Sequence, residues 1–131
     1  MTIEKIAGTD ARLYSLVGPL VMRASILRQN NNYPFKTSRQ HVWFVALEGS
    51  VVVGFLPVEV KDECVSINNY YVSGDNAGFL TAMLREAIRA FRKDYKIMSV
   101  AHVRHGSVFQ ENGFSPVKTW KLYVKMEYKM K

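Results

Sequence analysis

At 131 residues, 48% of them apolar, the chain is long enough to bury a sizeable core and too apolar to be disordered throughout. It has no run near the roughly 18 consecutive apolar residues that a membrane span needs, and its opening, "MTIEKIAGTDARLY", is charged too early for a secretory leader. The net charge of +7 fits solvated basic faces or an anionic ligand; no recognised nucleic-acid motif accompanies it, which argues against a nucleic-acid surface.

Residues 2–7 read as a short strand and Thr9-Asp10 as a helix cap. Leu13, Leu16, Val17, Leu20, Val21, Ala24 and Leu27 recur at helical spacing, with a kink or break expected at Pro19. The polar stretch 28–40, "RQNNNYPFKTSRQ", reads as a mobile connection. Two strands, 41–47 and 50–60, flank Glu48-Gly49 as a hairpin, with Pro57 predicting a bulge or a strand end. A third strand, 63–72, leads through "SGDNAG" into an amphipathic helix over 78–91. A buried strand (96–103), a short helix (105–114) closed by Gly113, and a half-exposed final strand (119–129) complete the order. This predicts a mixed α/β (α+β) single domain spanning 1–131, an antiparallel meander followed by a βαβ crossover. Basic residues cluster on the 78–91 helix and its exit, and on the last strand at Lys118, Lys121, Lys125, Lys129 and Lys131. Cys64 is the single cysteine, so no internal disulfide can form, and the cytoplasm is the expected compartment.

The turn "DNAGFLTAML" (75–84) poses a specific question. A Gly-containing turn from strand to helix offers free N–H groups and the positive helix end to a phosphate, yet Asp75 would repel one. The residues alone leave a phosphate cradle and a plain helix cap both open.

Placed on this order, four phrases resemble the GCN5-related N-acetyltransferase (GNAT) family: "FVALEGSVVVGF" (44–55), "INNYYV" (67–72), "GFLTAMLREAIRAF" (78–91) and "SVFQENGF" (107–114). The resemblance implies a mostly antiparallel central sheet flanked by helices, and acyl transfer from acetyl-coenzyme A to an amine without a metal. The acceptor would be a small-molecule or peptide amine, and a homodimer is left open. The family's turn usually reads Arg/Gln-x-x-Gly-x-Gly/Ala; here Asp75, Gly78 and Leu80 take the defining positions, so only Gly78 fits. By the same resemblance the donor's pyrophosphate lies over Asn76, Ala77, Gly78, Phe79 and Leu80, and its pantetheine beside Tyr70, Tyr71 and Val72.

The family often places a Tyr acid at the late short helix, and Phe109 stands there with no proton to give. The resemblance also puts His102 at the position of a functional Asn. His102, Tyr71 and Asn69 are therefore the candidate catalytic residues, His102 as base or water-holder. A hydrogen-bonded core histidine and two packing tyrosines are the competing readings. His102 and His105 at i and i+3 do not make a metal pattern without further ligands. Strand alternation predicts Asn69 and Tyr71 on one face, Asn68 and Tyr70 on the other. The alternative function is a GNAT-like domain that binds a nucleotide-like ligand or a protein partner without catalysis.

Overall fold

The protein is described here by a computed structural model covering residues 1–129; Lys131, assigned above to the last strand, lies outside the described residues. The elements run β1 (Thr2–Ala7), α1 (Ala11–Val21), α2 (Ala24–Gln29), β2 (His41–Glu48), β3 (Val51–Val60), β4 (Cys64–Ile67), β5 (Tyr71–Val72), α3 (Ala77–Phe91), β6 (Lys96–His102), α4 (Gly106–Glu111), β7 (Phe114–Thr119) and β8 (Tyr123–Tyr128). Among the described residues, one mixed sheet of 8 strands has the order β1-β2-β3-β4-β6-β8-β7, with the short β5 on β3. Every pairing is antiparallel except β4 with β6, the two ends of the crossover through α3.

Alternation along the strands splits the core between the two sheet faces. Phe44, Leu56, Val58, Val65, Ile67, Ile97 and Ala101 pack against Leu80, Met83, Leu84 and Ala87 of α3 and Phe109 of α4. Trp43, Val45, Leu47 and Phe55 turn the other way, onto Leu13 and Val17 of α1 and Ile26 of α2. Asp10 caps α1 by accepting from the Arg12 N–H. Pro19 lies inside α1, and the chain breaks between α1 and α2 at Met22–Arg23.

Several expectations are corrected. Pro57 neither ends β3 nor marks its bulge; the register shift falls between Ala46 and Leu47. The bond from Val60 N–H to the Gln40 carbonyl sets the ladder phase and turns the Pro57 nitrogen away from β2. On that other side β4 pairs only with 58–60 and β5 only with 54–55, so position 57 has no ladder bond to lose. Gly54 is needed for close approach: a Cβ there would lie 2.9 Å from the Tyr71 carbonyl oxygen and 2.8 Å from Met83 Cε.

The final strand is a hairpin. Phe114–Thr119 forms β7 against β8, while Trp120 and Leu122 are exposed at its tip rather than buried in alternation. Pro116 and Lys118 hid β7, because an edge strand has only one ladder to satisfy. The 28–40 connection is fastened: Thr37 Oγ1 donates to the Gly8 carbonyl and accepts from Trp43 Nε1, and Phe35 packs edge-on against Phe55 at 4.9 Å.

The predicted strand 63–72 is interrupted. Asn69 has φ of 56°, in the left-handed region where asparagine is among the better-tolerated residues. Pairing with β6 stops at Ile67 opposite Ser99; beyond it β5 follows β3, and the end of β6 follows β8. The sheet therefore parts at 68–70.

Candidate functional site

On the α1/α2 face this parting opens a cavity of about 260 Å³ lined by Asn30, Tyr33, Asn68, Asn69, Val100, His102 and Tyr123. Asn68 and Asn69 also line a second hollow, of about 180 Å³, which continues over Pro57 and Ser66 towards Lys36, His41 and Glu59. Both asparagines reach the same side because the kink at Asn69 cancels the strand alternation. That corrects the face assignment made from the sequence.

Asn30 is the hub of the cavity. Just past the end of α2 and 1% exposed, it donates through Nδ2 to the Tyr33 carbonyl at 2.9 Å and to Asn69 Oδ1 at 3.2 Å. Both amide protons face acceptors, so Oδ1 is left to accept from His102 Nε2 at 3.1 Å. That contact puts the imidazole proton on Nε2 and leaves Nδ1 as a lone-pair acceptor. His102 Nδ1 is buried without a partner, and so is Asn68 Oδ1. Burial, then the positive charge of Arg104, lowers the His102 pKa to about 4. The ring is therefore neutral through the physiological range.

On the opposite face the parting is closed. Tyr70, 2% exposed, fills it, packed among Phe109, His102 and His105 at 5.3–5.6 Å between ring centroids. The His102 backbone N–H donates to Tyr70 Oη at 3.1 Å. The Tyr70 hydroxyl donates to His105 Nδ1 at 2.7 Å, and His105 Nε2–H donates to Asp75 Oδ1 at 2.7 Å. Each donor meets one acceptor only if the His105 ring is neutral. Burial lowers the His105 pKa, against the opposing bond to Asp75, and burial raises that of the Tyr70 phenol.

Asp75 does not stand as a bare charge before the helix. Burial raises its pKa, but bonds from Arg104 Nε at 3.0 Å and from His105 outweigh this and hold it below the ordinary value. Arg104 also donates from Nη2 to the Gln29 carbonyl at 3.0 Å, tying the turn to α2. Asn76 caps α3: its Oδ1 accepts from the Phe79 N–H at 2.9 Å, and its carbonyl from the Leu80 N–H. The cap reading is thus realised at two amides. The N–H groups of Ala77 and Gly78, at the first two helical positions, have no helical carbonyl to bond. Leu80 is fully buried under the helix, so it does not crowd the turn as its position suggested.

The remaining candidates divide. His102 and Asn69 meet in one cavity through Asn30, whereas Tyr71 packs on Phe55 at 5.4 Å and is not among the residues that line it. Val72 is buried opposite Gly54, and Phe79 packs partly buried against the core. Phe109 is fully buried against Tyr70 and Phe114, with no face on the cavity. Sequence reasoning missed Asn30, Tyr33, Arg104 and Tyr123. The signal for the first was the asparagine run 30–32, in which Asn31 and Asn32 take φ of 56° and 62° to turn the chain back over the sheet.

No protein-family model and no curated protein matches the chain. Solved structures do. ElaA of Escherichia coli superposes with a TM-score of 0.74 over 98% of this chain and 100% of its own, at 13% identity. The catalytic domain of the Tetrahymena GCN5 histone acetyltransferase, in complex with coenzyme A, gives 0.70 over 97% and 91%, at 16% identity. A GNAT family acetyltransferase from Elizabethkingia anophelis with acetyl-CoA bound gives 0.64 over 98% and 97%, at 14% identity. At these identities the likeness is one of architecture. The chain has the fold of the GNAT acetyltransferases.

Proposed function

We propose that the protein is an acyl-coenzyme A-dependent N-acyltransferase whose acceptor amine enters the cavity at the parting of β4 and β6. The observation that carries this is His102: a neutral imidazole lining that cavity, with its tautomer set by Asn30 and its Nδ1 unpartnered. In such a reaction an N–C bond forms, the C–S bond of the thioester breaks, and the proton that the amine loses ends, through water, on the departing thiolate. His102 Nδ1 would accept a hydrogen bond from the amine and hold it in line for attack. A thiolate leaves readily, since a free thiol has a pKa of about 8.5, so a phenylalanine at 109 does not forbid the reaction. The residues partly fit a donor's pyrophosphate. The Ala77 and Gly78 amides are free of helical partners, and a Cβ at Gly78 would meet only Asn76 Oδ1, at 3.2 Å. Asn76 would have to release the Phe79 amide to offer a third.

A second reading, a ligand-binding domain without catalysis, is favoured by one observation. The Tyr70–His105–Asp75 chain joins the two sides of the parting on the α3/α4 face. A melting-temperature titration with acetyl-coenzyme A, paired with thiol release in the presence of amines, separates the readings. For transfer, the melting temperature rises with donor as native-state binding requires, and thiol is released only with an acceptor. His102→Gln should then lower transfer by the roughly 10²-fold that misplacing a reacting group can cost, while leaving the donor-induced rise intact. Stabilisation with no thiol release selects the second reading. No rise at millimolar donor rejects both as coenzyme A readings.

A further inference from the structure

We infer that the β4/β6 cavity takes a weakly basic primary amine borne on a small uncharged polar body, such as an amino sugar or an amino-acid amide, and rejects polyamines and lysine side chains. The inference rests on the acyltransferase reading for the amine, and on the cavity itself for the rest.

The wall holds no carboxylate. A polycation finds no partner there, and the nearest acid in the adjoining hollow, Glu59, lies with Lys36 and His41. Arg104, anchored beside the cavity on the Gln29 carbonyl next to Asn30, is paired with Asp75, so that end offers a cation no free carboxylate. A second charge on the ligand would lose its hydration against neutral groups, with no opposite charge to offset the cost. The polar side chains of the wall are neutral, led by Asn30, Asn68, Asn69 and His102; Asn68 Oδ1 and His102 Nδ1 are buried without partners, so an N–H or O–H donor that displaces their cover satisfies them. The volume, about 260 Å³, is below the usual range for a drug-sized ligand and suits a single ring or one residue.

Reactivity points the same way. Only the neutral amine attacks, and an imidazole held at about pKa 4 is too weak to strip a proton from an alkylammonium. An α-amino group titrates near 7.7–8.0 and a lysine near 10.4, so at pH 7.5 the former offers roughly several hundred times more neutral amine.

The test uses the full chain with glucosamine and alaninamide against spermidine and Nα-acetyl-lysinamide. Binding is followed without donor, by shifts of the Asn68 and Asn69 side-chain amide resonances, and transfer from acetyl-coenzyme A by thiol release at pH 7.5. Glucosamine or alaninamide should move those resonances and bind at least tenfold more tightly than spermidine or Nα-acetyl-lysinamide. Asn68→Ala, checked for an unchanged melting temperature, should lose that preference. Equal or tighter binding of spermidine or the lysine derivative, or no response of Asn68 and Asn69 to any of the four, overturns the inference. Weakly basic amines that bind but are never acylated would sink the acyltransferase reading and leave the cavity assignment standing. Preferential acylation of spermidine would do the reverse.

Discussion

The two faces of the sheet treat the same three residues in opposite ways. Where the strands part at 68–70, the α3/α4 side receives Tyr70, whose hydroxyl joins a hydrogen-bonded chain running to His105 and Asp75 under Phe109. The α1/α2 side receives Asn68 and Asn69, and there the gap stays open, walled by amides and aromatic rings, with two polar atoms unpartnered. One left-handed residue, Asn69, makes the difference by turning the chain half a strand period out of phase. The closed side gives this part of the sheet its stability. The open side is where the proposed function puts the acceptor, because a buried polar atom without a partner is costly until something binds it.

The sharpest way to break this contrast is truncation on each side. Phe109→Ala should cost about 3–5 kcal/mol, the usual range for a buried phenylalanine, whereas Tyr33→Ala at the exposed rim should stay within about 0.5 kcal/mol; denaturant unfolding reads both. Comparable costs would mean that the open side is core as well.

Acidification tests the histidines that border the two sides. His102 has its folded-state pKa depressed to about 4 from an ordinary 6.5, and that of His105 is depressed too. A base kept neutral in the fold stabilises it fully above the unfolded value and loses that contribution as pH falls. From His102, up to about 3 kcal/mol should disappear between about pH 6.5 and 4. His102→Gln should flatten this slope, and an unchanged slope would place the titration elsewhere.

A smaller effect is expected from Tyr70→Phe, which leaves the His102 N–H and His105 Nδ1 without a partner while keeping the ring. A loss of about 1–3 kcal/mol is expected, together with a His105 ring that titrates closer to its ordinary value, followed by proton NMR. Smallest of all, Tyr123→Phe removes a half-exposed hydroxyl that accepts from Asn31 Nδ2 at 2.8 Å. Stability should change by no more than about 0.5 kcal/mol, so any larger change in amine binding would mark Tyr123 as part of the cavity's recognition surface.

Much of the architecture was legible because it follows from local periodicity. The apolar runs 41–47 and 50–60 about Glu48-Gly49 declare a hairpin, the helical stripe Phe79, Met83, Leu84, Ala87, Ile88, Phe91 declares the buried face of α3, and four phrases in the right order carried the resemblance to the GNAT fold. Strand β7 was not legible, since Pro116 and the exposed Lys118 are tolerated in an edge strand that needs only one ladder. Nor was the correct place of Pro57, which depends on a gap between two other strands.

The site divides in the same way. The sequence singled out His102, Asn69 and the 75–80 turn as residue types able to do chemistry. Only the tertiary structure decided that Asn30, 72 positions away along the chain, fixes the tautomer of His102, that Arg104 neutralises Asp75 across 29 positions, and that Phe109 belongs to the core. Periodicity is a property of neighbours along the chain. A tautomer, a paired charge and a sealed ring are set by what folding brings from elsewhere, and no local pattern records it.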